Sequence, residues 1–160
     1  MVVDQDEPIA VRQLPAGTVA YRQFHGTIPS IESVTSSVRS WVVTMGFTPQ
    51  GPMAVEITGT PSAALSEEYD IEVQLPVGEN AKADPSDMVQ VKAFTATEAV
   101  VLTLRGPYEL THIAEPLARM REWSAAQQLQ PSAVVRWVEI TDPTKVSPEE
   151  QTTEVQFLLP

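Results

Sequence analysis

A carboxylate and an indole stand two residues apart in the run Ala133-Val134-Val135-Arg136-Trp137-Val138-Glu139-Ile140-Thr141-Asp142-Pro143. The run reads as a strand. Side chains alternate along a strand, so Val135, Trp137 and Glu139 share one face and Arg136, Val138 and Ile140 the other. An acid beside a broad aromatic surface can receive a cation, through charge and through the ring face together. The same residues also read as an edge strand, with Glu139 in water or in a salt bridge and Trp137 packed on a loop. Val-Glu-Ile-Thr occurs twice, at residues 55–58 and 138–141, which makes Glu56 a second candidate carboxylate. Tyr21 and Tyr108 are candidate aromatic walls, Tyr108 because it follows Gly106 closely.

Other chemistries find less material. The chain has no cysteine, which excludes disulfides, thiol catalysis and cysteine-ligated zinc. Its two histidines, His25 and His112, have no partner at metal or triad spacing. No G-x-S-x-G, H-E-x-x-H or phosphate-binding loop is present. No metal or cofactor is implied, and a catalytic role falls to no residue unless a cleft glutamate supplies it.

The formal charge is −11 over 160 residues, and neither helical segment carries a basic stripe, which argues against direct contact with nucleic acid phosphates. With 42% hydrophobic and 19% charged residues the chain is globular rather than disordered. No apolar run reaches the roughly 18 residues that span a bilayer, and residues 1–7 are acidic and unlike a signal peptide. A cytoplasmic protein with no membrane partner is the expectation.

The elements that must position these residues recur in order. Residues 9–14 and 19–25 read as strands. Ile31, Val34, Val38, Trp41, Val42 and Met45 form one helical stripe with Gly46 as its stop. Residues 53–58 and 70–75 return to period two, and 76–86 reads as a linker. The series then restarts. Residues 89–94 and 99–104 match the first two strands at an offset of 80, and Met120 and Trp123 match Val38 and Trp41 at 82. Glu139 matches Glu56 at 83, and Glu154-Val155-Gln156 matches Glu72-Val73-Gln74 at 82. Pro116 places the start of the second helix near Glu115, since proline is tolerated only in a first turn. The organisation expected is one domain over 1–160, with internal repeats at about 8–76 and 88–160.

Two strand–strand–helix–strand–strand units predict an α+β fold: an antiparallel sheet of about eight strands with both helices on one face. On that reading Val55, Ile57, Val138 and Ile140 lie under the helices. Glu56, Trp137 and Glu139 face a shared ligand cleft on the other side. Trp41 and Trp123 pack into the core.

The chain resembles the GyrI-like small-molecule-binding family, which also supplies the effector-binding half of multidrug-sensing regulators of the MerR and AraC types. The carriers are Leu102-Thr103-Leu104-Arg105-Gly106-Pro107-Tyr108, the helix around 117–123, residues 139–143 and the ending 152–160. The resemblance implies the two-copy fold and a cleft between the copies. It also implies an acidic residue among aromatics that receives hydrophobic, cationic small molecules, at Glu139 by position, for sensing or sequestration. The family often has its glutamate two residues before an aromatic. Here Trp137 comes first. No helix-turn-helix precedes the first strand, so a standalone form is expected. Two alternatives follow from the same resemblance. One is a hydrolase of reactive cyclopropane-type molecules, using Glu139 and Glu56. The other is an acidic module that docks on a basic protein partner, as a gyrase inhibitor would.

Overall fold

The computed structural model describes residues 9–61, 64–106, 114–142 and 145–160. In chain order they form β1 (Ala10–Leu14), β2 (Gly17–Thr27), α1 (Ile31–Thr44), β3 (Ala54–Thr58) and β4 (Glu68–Val77). The series repeats as β5 (Gln90–Phe94), β6 (Thr97–Arg105), α2 (Ala114–Ala126), β7 (Val134–Glu139) and β8 (Thr152–Leu158). Single 3-10 turns, Ile28–Ser30 and Pro148–Glu150, lead into α1 and β8. α1 ends where Met45 caps it and Gly46 turns left-handed at φ 77°, a conformation that glycine adopts without a side-chain clash. Met45, expected on the apolar stripe, therefore lies beyond the helix and is exposed. Pro116 is the third residue of α2, within its first turn, where its missing N–H leaves no helical bond unmade.

All eight strands form one antiparallel sheet in the order β1-β6-β8-β7-β3-β4-β2-β5. Exchanging each strand for its counterpart in the other half reverses that order onto itself, so a pseudo-twofold axis runs between β3 and β7. The repeat thus has the expected element order, with one feature that periodicity did not reveal. The first strand of each half leaves its own unit: β1 pairs with β6, and β5 pairs with β2.

Both helices lie on one side. Val34, Val38 and Val42 of α1 and Leu117 and Met120 of α2 share a single core with Ile57, Val73, Val155 and Phe157 of the sheet. α1 packs on β2 and β4, and α2 on β6. Trp41 and Trp123 are partly buried against this core. The opposite side is concave, because one cavity there touches both Leu14 near one edge of the sheet and Phe94 at the other.

The pairing register corrects the expected orientation of β7. Trp137 lies opposite Val55 on one side and Val155 on the other, while Arg136 lies opposite Glu56 and Gln156. Cross-strand partners share a face. Trp137, with Val135 and Glu139, is therefore on the helix side, and Arg136 and Val138 point to the concave side. Trp137 is 5% exposed and belongs to the core. Alternation alone could not decide this, because both faces of β7 carry apolar residues. Packing decides it: turned the other way, β7 would bury Arg136 beneath the helices without a counter-charge.

The register also shifts the repeat. Glu56 pairs with Glu72, and Val138 pairs with Glu154. Since Glu72 and Glu154 are counterparts, Glu56 corresponds to Val138, and Ile57 to Glu139. The two Val-Glu-Ile-Thr runs are one residue out of step, and one residue turns a side chain to the opposite face. Glu56 and Glu139 thus lie on opposite sides of the sheet instead of in one cleft. Trp137→Ala, which removes the buried ring on the axis, is expected to cost about 3–5 kcal/mol of unfolding free energy. Urea denaturation of the two proteins checks this.

Candidate functional site

On the concave side the two halves place the same set of polar groups. Lys92 of β5 donates to Glu72 at 2.8 Å, and Arg12 of β1 donates to Glu154. Each set includes a neighbouring glutamine, Gln74 donating to Glu72 and Gln156 to Glu154, and Gln23 adds a further donor to Glu72 at 2.8 Å. Glu72 and Glu154 are only 6% and 4% exposed, so these partners supply what water would otherwise give. Arg136 joins the sets across the axis, with Nη1 2.9 Å from Gln156 Oε1 and Nη2 3.2 Å from Gln74 Oε1. Its Nε is buried without a hydrogen bond and lies 3.6 Å from Glu56 Oε2. Tyr21 lies beneath Lys92, whose Nζ is 4.3 Å from the ring centre.

Burial pushes the Glu56 carboxyl up, and the charge of Glu72 adds to this. Arg136, Lys92 and Gln74 pull against them. Burial would also raise Glu72, but hydrogen bonds from Lys92, Gln74 and Gln23 outweigh it and hold that carboxyl below its usual range. Two cavities open on this face and share Glu56. One, of about 290 Å³, has Leu14, Phe94 and Leu158 around a floor of Glu56, Gln74 and Arg136. The other, of about 400 Å³, is lined by Gln23, Glu56, Thr58, Asp70 and Glu72 among others.

The helix side carries the other expected pair. Glu139 ends β7 two residues beyond the buried Trp137, and its backbone N–H donates to Met53 O at 3.0 Å. Its carboxylate is partly buried and has no hydrogen-bond or ion-pair partner among the described residues. Burial pushes the carboxyl up. The charge of Arg39 on α1 opposes the shift, and that of Asp142 reinforces it. At the opposite end of this side, below α2, lies a third cavity of about 280 Å³ that includes Val135 and Phe157.

The expected site residues thus divide. Glu139 and Trp137 stay together on the helix side, Glu56 and Tyr21 face the concave side, and Tyr108 lies outside the described residues. Among the described residues no cluster of histidine and acidic side chains could hold a metal ion. No described helix is long and apolar enough to cross a membrane.

No protein-family model matches the chain, and no curated protein does. Solved structures do match. The C-terminal domain of EcmrR aligns with a TM-score of 0.78 at 18% identity, over 96% of this chain and 97% of that one. The chain has the GyrI-like fold. Against EcmrR in its complex with DNA the TM-score is again 0.78, and the match spans only 57% of that longer chain. A hydrolase encoded by lin2189 from Listeria innocua shares the GyrI-like fold at a TM-score of 0.70 and 14% identity, over 95% of this chain and 91% of that one. SAV2435 bound to tetraphenylphosphonium matches at 0.57 and 11%, over 96% of this chain and 94% of that one. Identities this low carry the likeness of fold alone.

Sequence reasoning missed the buried polar sets of this GyrI-like sheet. A signal was present: Glu-Val-Gln appears in both final strands, each flanking an apolar residue of the core with two polar ones. These residues mark the repeat, and their spacing does not reveal the cations of the other half that meet them, because strand order brings those together. The sign of the pH dependence follows from Glu72. Its folded value lies below the usual 4.5, so its contribution is complete above 4.5 and is lost as pH falls through the folded value. Lys92→Met, which removes the strongest of the bonds holding it down, is expected to cost about 1 kcal/mol at pH 7, less than a fully buried pair because the amine is partly exposed. In denaturation curves recorded against pH, the gap between variant and parent should close below about pH 4.5.

Proposed function

We propose that this chain binds hydrophobic, cationic small molecules between its two pseudo-symmetric halves, as a sensing or sequestering domain. Glu139 receives the charge, and Trp137 forms the apolar floor beside it. The observation that carries this reading is the state of Glu139: a partly buried carboxylate with no partner among the described residues, on the same face as the indole. Burying a carboxylate unpaired is costly, and an organic cation offsets that cost where a neutral ligand of the same size does not. Glu56 offers less. Its field is already opposed by Arg136 and Lys92, within a set of three carboxylates and three cations. The same fold in SAV2435 was solved with tetraphenylphosphonium, a cation wrapped in aromatic rings, which supports the ligand class.

Thermal denaturation with tetraphenylphosphonium tests the proposal. At about 100 times its dissociation constant the ligand should add about 2.7 kcal/mol of stability. Glu139→Gln should lose most of that gain and Glu56→Gln should keep it. Binding should also weaken as pH falls through the raised folded value of Glu139, because the protonated acid presents no charge. No shift in the parent protein, or a shift that Glu139→Gln leaves intact, overturns the reading. Loss in Glu56→Gln alone would place the site on the concave side.

A further inference from the structure

The cavity below α2 plays no part in the reading above, and its chemistry is of the opposite sign. Its apolar wall includes Leu129, Pro131, Val135 and Phe157, and Phe157 is buried at 3% exposure. Ser124 also reaches it, but its hydroxyl is already donated to Met120 O at 2.7 Å. One ionised group lines it. Arg121 stands with its guanidinium carbon 5.6 Å from the centre of the Phe157 ring and donates from Nη2 to the Thr60 hydroxyl at 3.2 Å. In a chain of net charge −11, this cation has no carboxylate partner among the described residues.

The pseudo-twofold explains why. Met120 and Trp123 are the counterparts of Val38 and Trp41, so Arg121 is the counterpart of Arg39. Arg39 acts on Glu139. The counterpart of Glu139 is Ile57, which is fully buried in the core. Each helix therefore presents an arginine at the equivalent place, and at α1 its charge acts on the Glu139 carboxyl without an ion pair forming. At the α2 end the place of that acid is taken by an aliphatic residue, and a cavity lies alongside.

We propose that this cavity is a second ligand site, which takes an apolar carboxylate: an aryl or alkyl acid whose hydrocarbon lies on Phe157, Val135 and Leu129 while its carboxylate meets Arg121. A guanidinium offers paired N–H groups that match a carboxylate, and its contact with the Phe157 ring holds its plane at the cavity. About 280 Å³ suits a small bicyclic acid better than a drug-sized one. The two ends of the helix side thus select opposite charges. This inference rests on Arg121 and not on Glu139, so the two stand or fall separately.

Isothermal titration with 2-naphthoate, set beside uncharged 2-naphthylmethanol, decides the matter. The parent protein should bind one naphthoate saturably, and the alcohol roughly tenfold or more weaker. Arg121→Met should weaken naphthoate by a similar factor, and Arg121→Lys should recover part of it. Ala125→Leu, which crowds the cavity and leaves the charge, should weaken both compounds. Glu139→Gln should leave naphthoate binding unchanged. Because Arg121 is exposed, its variants should keep the parent circular dichroism spectrum. No naphthoate binding, equal binding of the alcohol, undiminished binding by Arg121→Met, or a dependence on Glu139 each overturns the proposal.

Discussion

Between Leu14 and Gly17 the chain has two residues, Pro15 and Ala16, with which to pass from β1 to β2. In the sheet those strands stand first and seventh. At about 4.8 Å per strand spacing, a flat sheet would hold them nearly 29 Å apart. Three Cα steps reach at most about 11 Å. The link between β5 and β6, Thr95 and Ala96, meets the same difficulty from the other edge. The sheet must curl until its two ends come near each other at these links. Everything else in the molecule accommodates that curvature: the helices cover the outer side, and the inner side becomes a trough. This is why residues from strands at opposite ends of the order, Leu14 and Phe94, can border one cavity.

A curled sheet has two unlike faces, and the buried polar groups follow from that. The trough is too narrow to hydrate Glu72 and Glu154 fully, so each is met by a cation from the first strand of the other half. The strand exchange and the ion pairs are thus one arrangement seen at two levels. At the axis the symmetry breaks. Arg136 has Ala54 as its counterpart, and Glu56 has Val138, so one guanidinium serves both sets where strict symmetry would bring two like charges together. The same asymmetry appears on the outer side, where the charge of Arg39 acts on Glu139 while Arg121 lies over Phe157 and donates to Thr60.

Most of the fold was legible in the sequence. Helical and strand periods, the proline at the start of α2, the glycine after α1 and the ordered repeat together pointed to an antiparallel sheet with two helices on one side. The exchange of β1 and β5 was not legible, because period-two alternation says which face a residue takes and nothing about which strand lies beside it. The candidate site was legible in part. That Trp137 and Glu139 share a face follows from spacing alone and agrees with the strand register. Which face it is depends on where Arg136 finds counter-charges, and those lie on other strands, β3, β4 and β8. The repeated Val-Glu-Ile-Thr misled for a similar reason: identical residues suggested equivalence, while the hydrogen-bonded register set them one step apart.

The exchange of first strands also bears on how the chain acquires its structure in time. α1 with β2, β3 and β4 can assemble once the first half exists, since their mutual contacts lie within it. β1 cannot join them. Ala10 waits for Val101, and the strand that holds Val101 must itself find β8, near the end of the chain. Of the strands of this sheet, the first in chain order is therefore among the last to be paired. Loop closures of that span slow a folding reaction even when the product is stable.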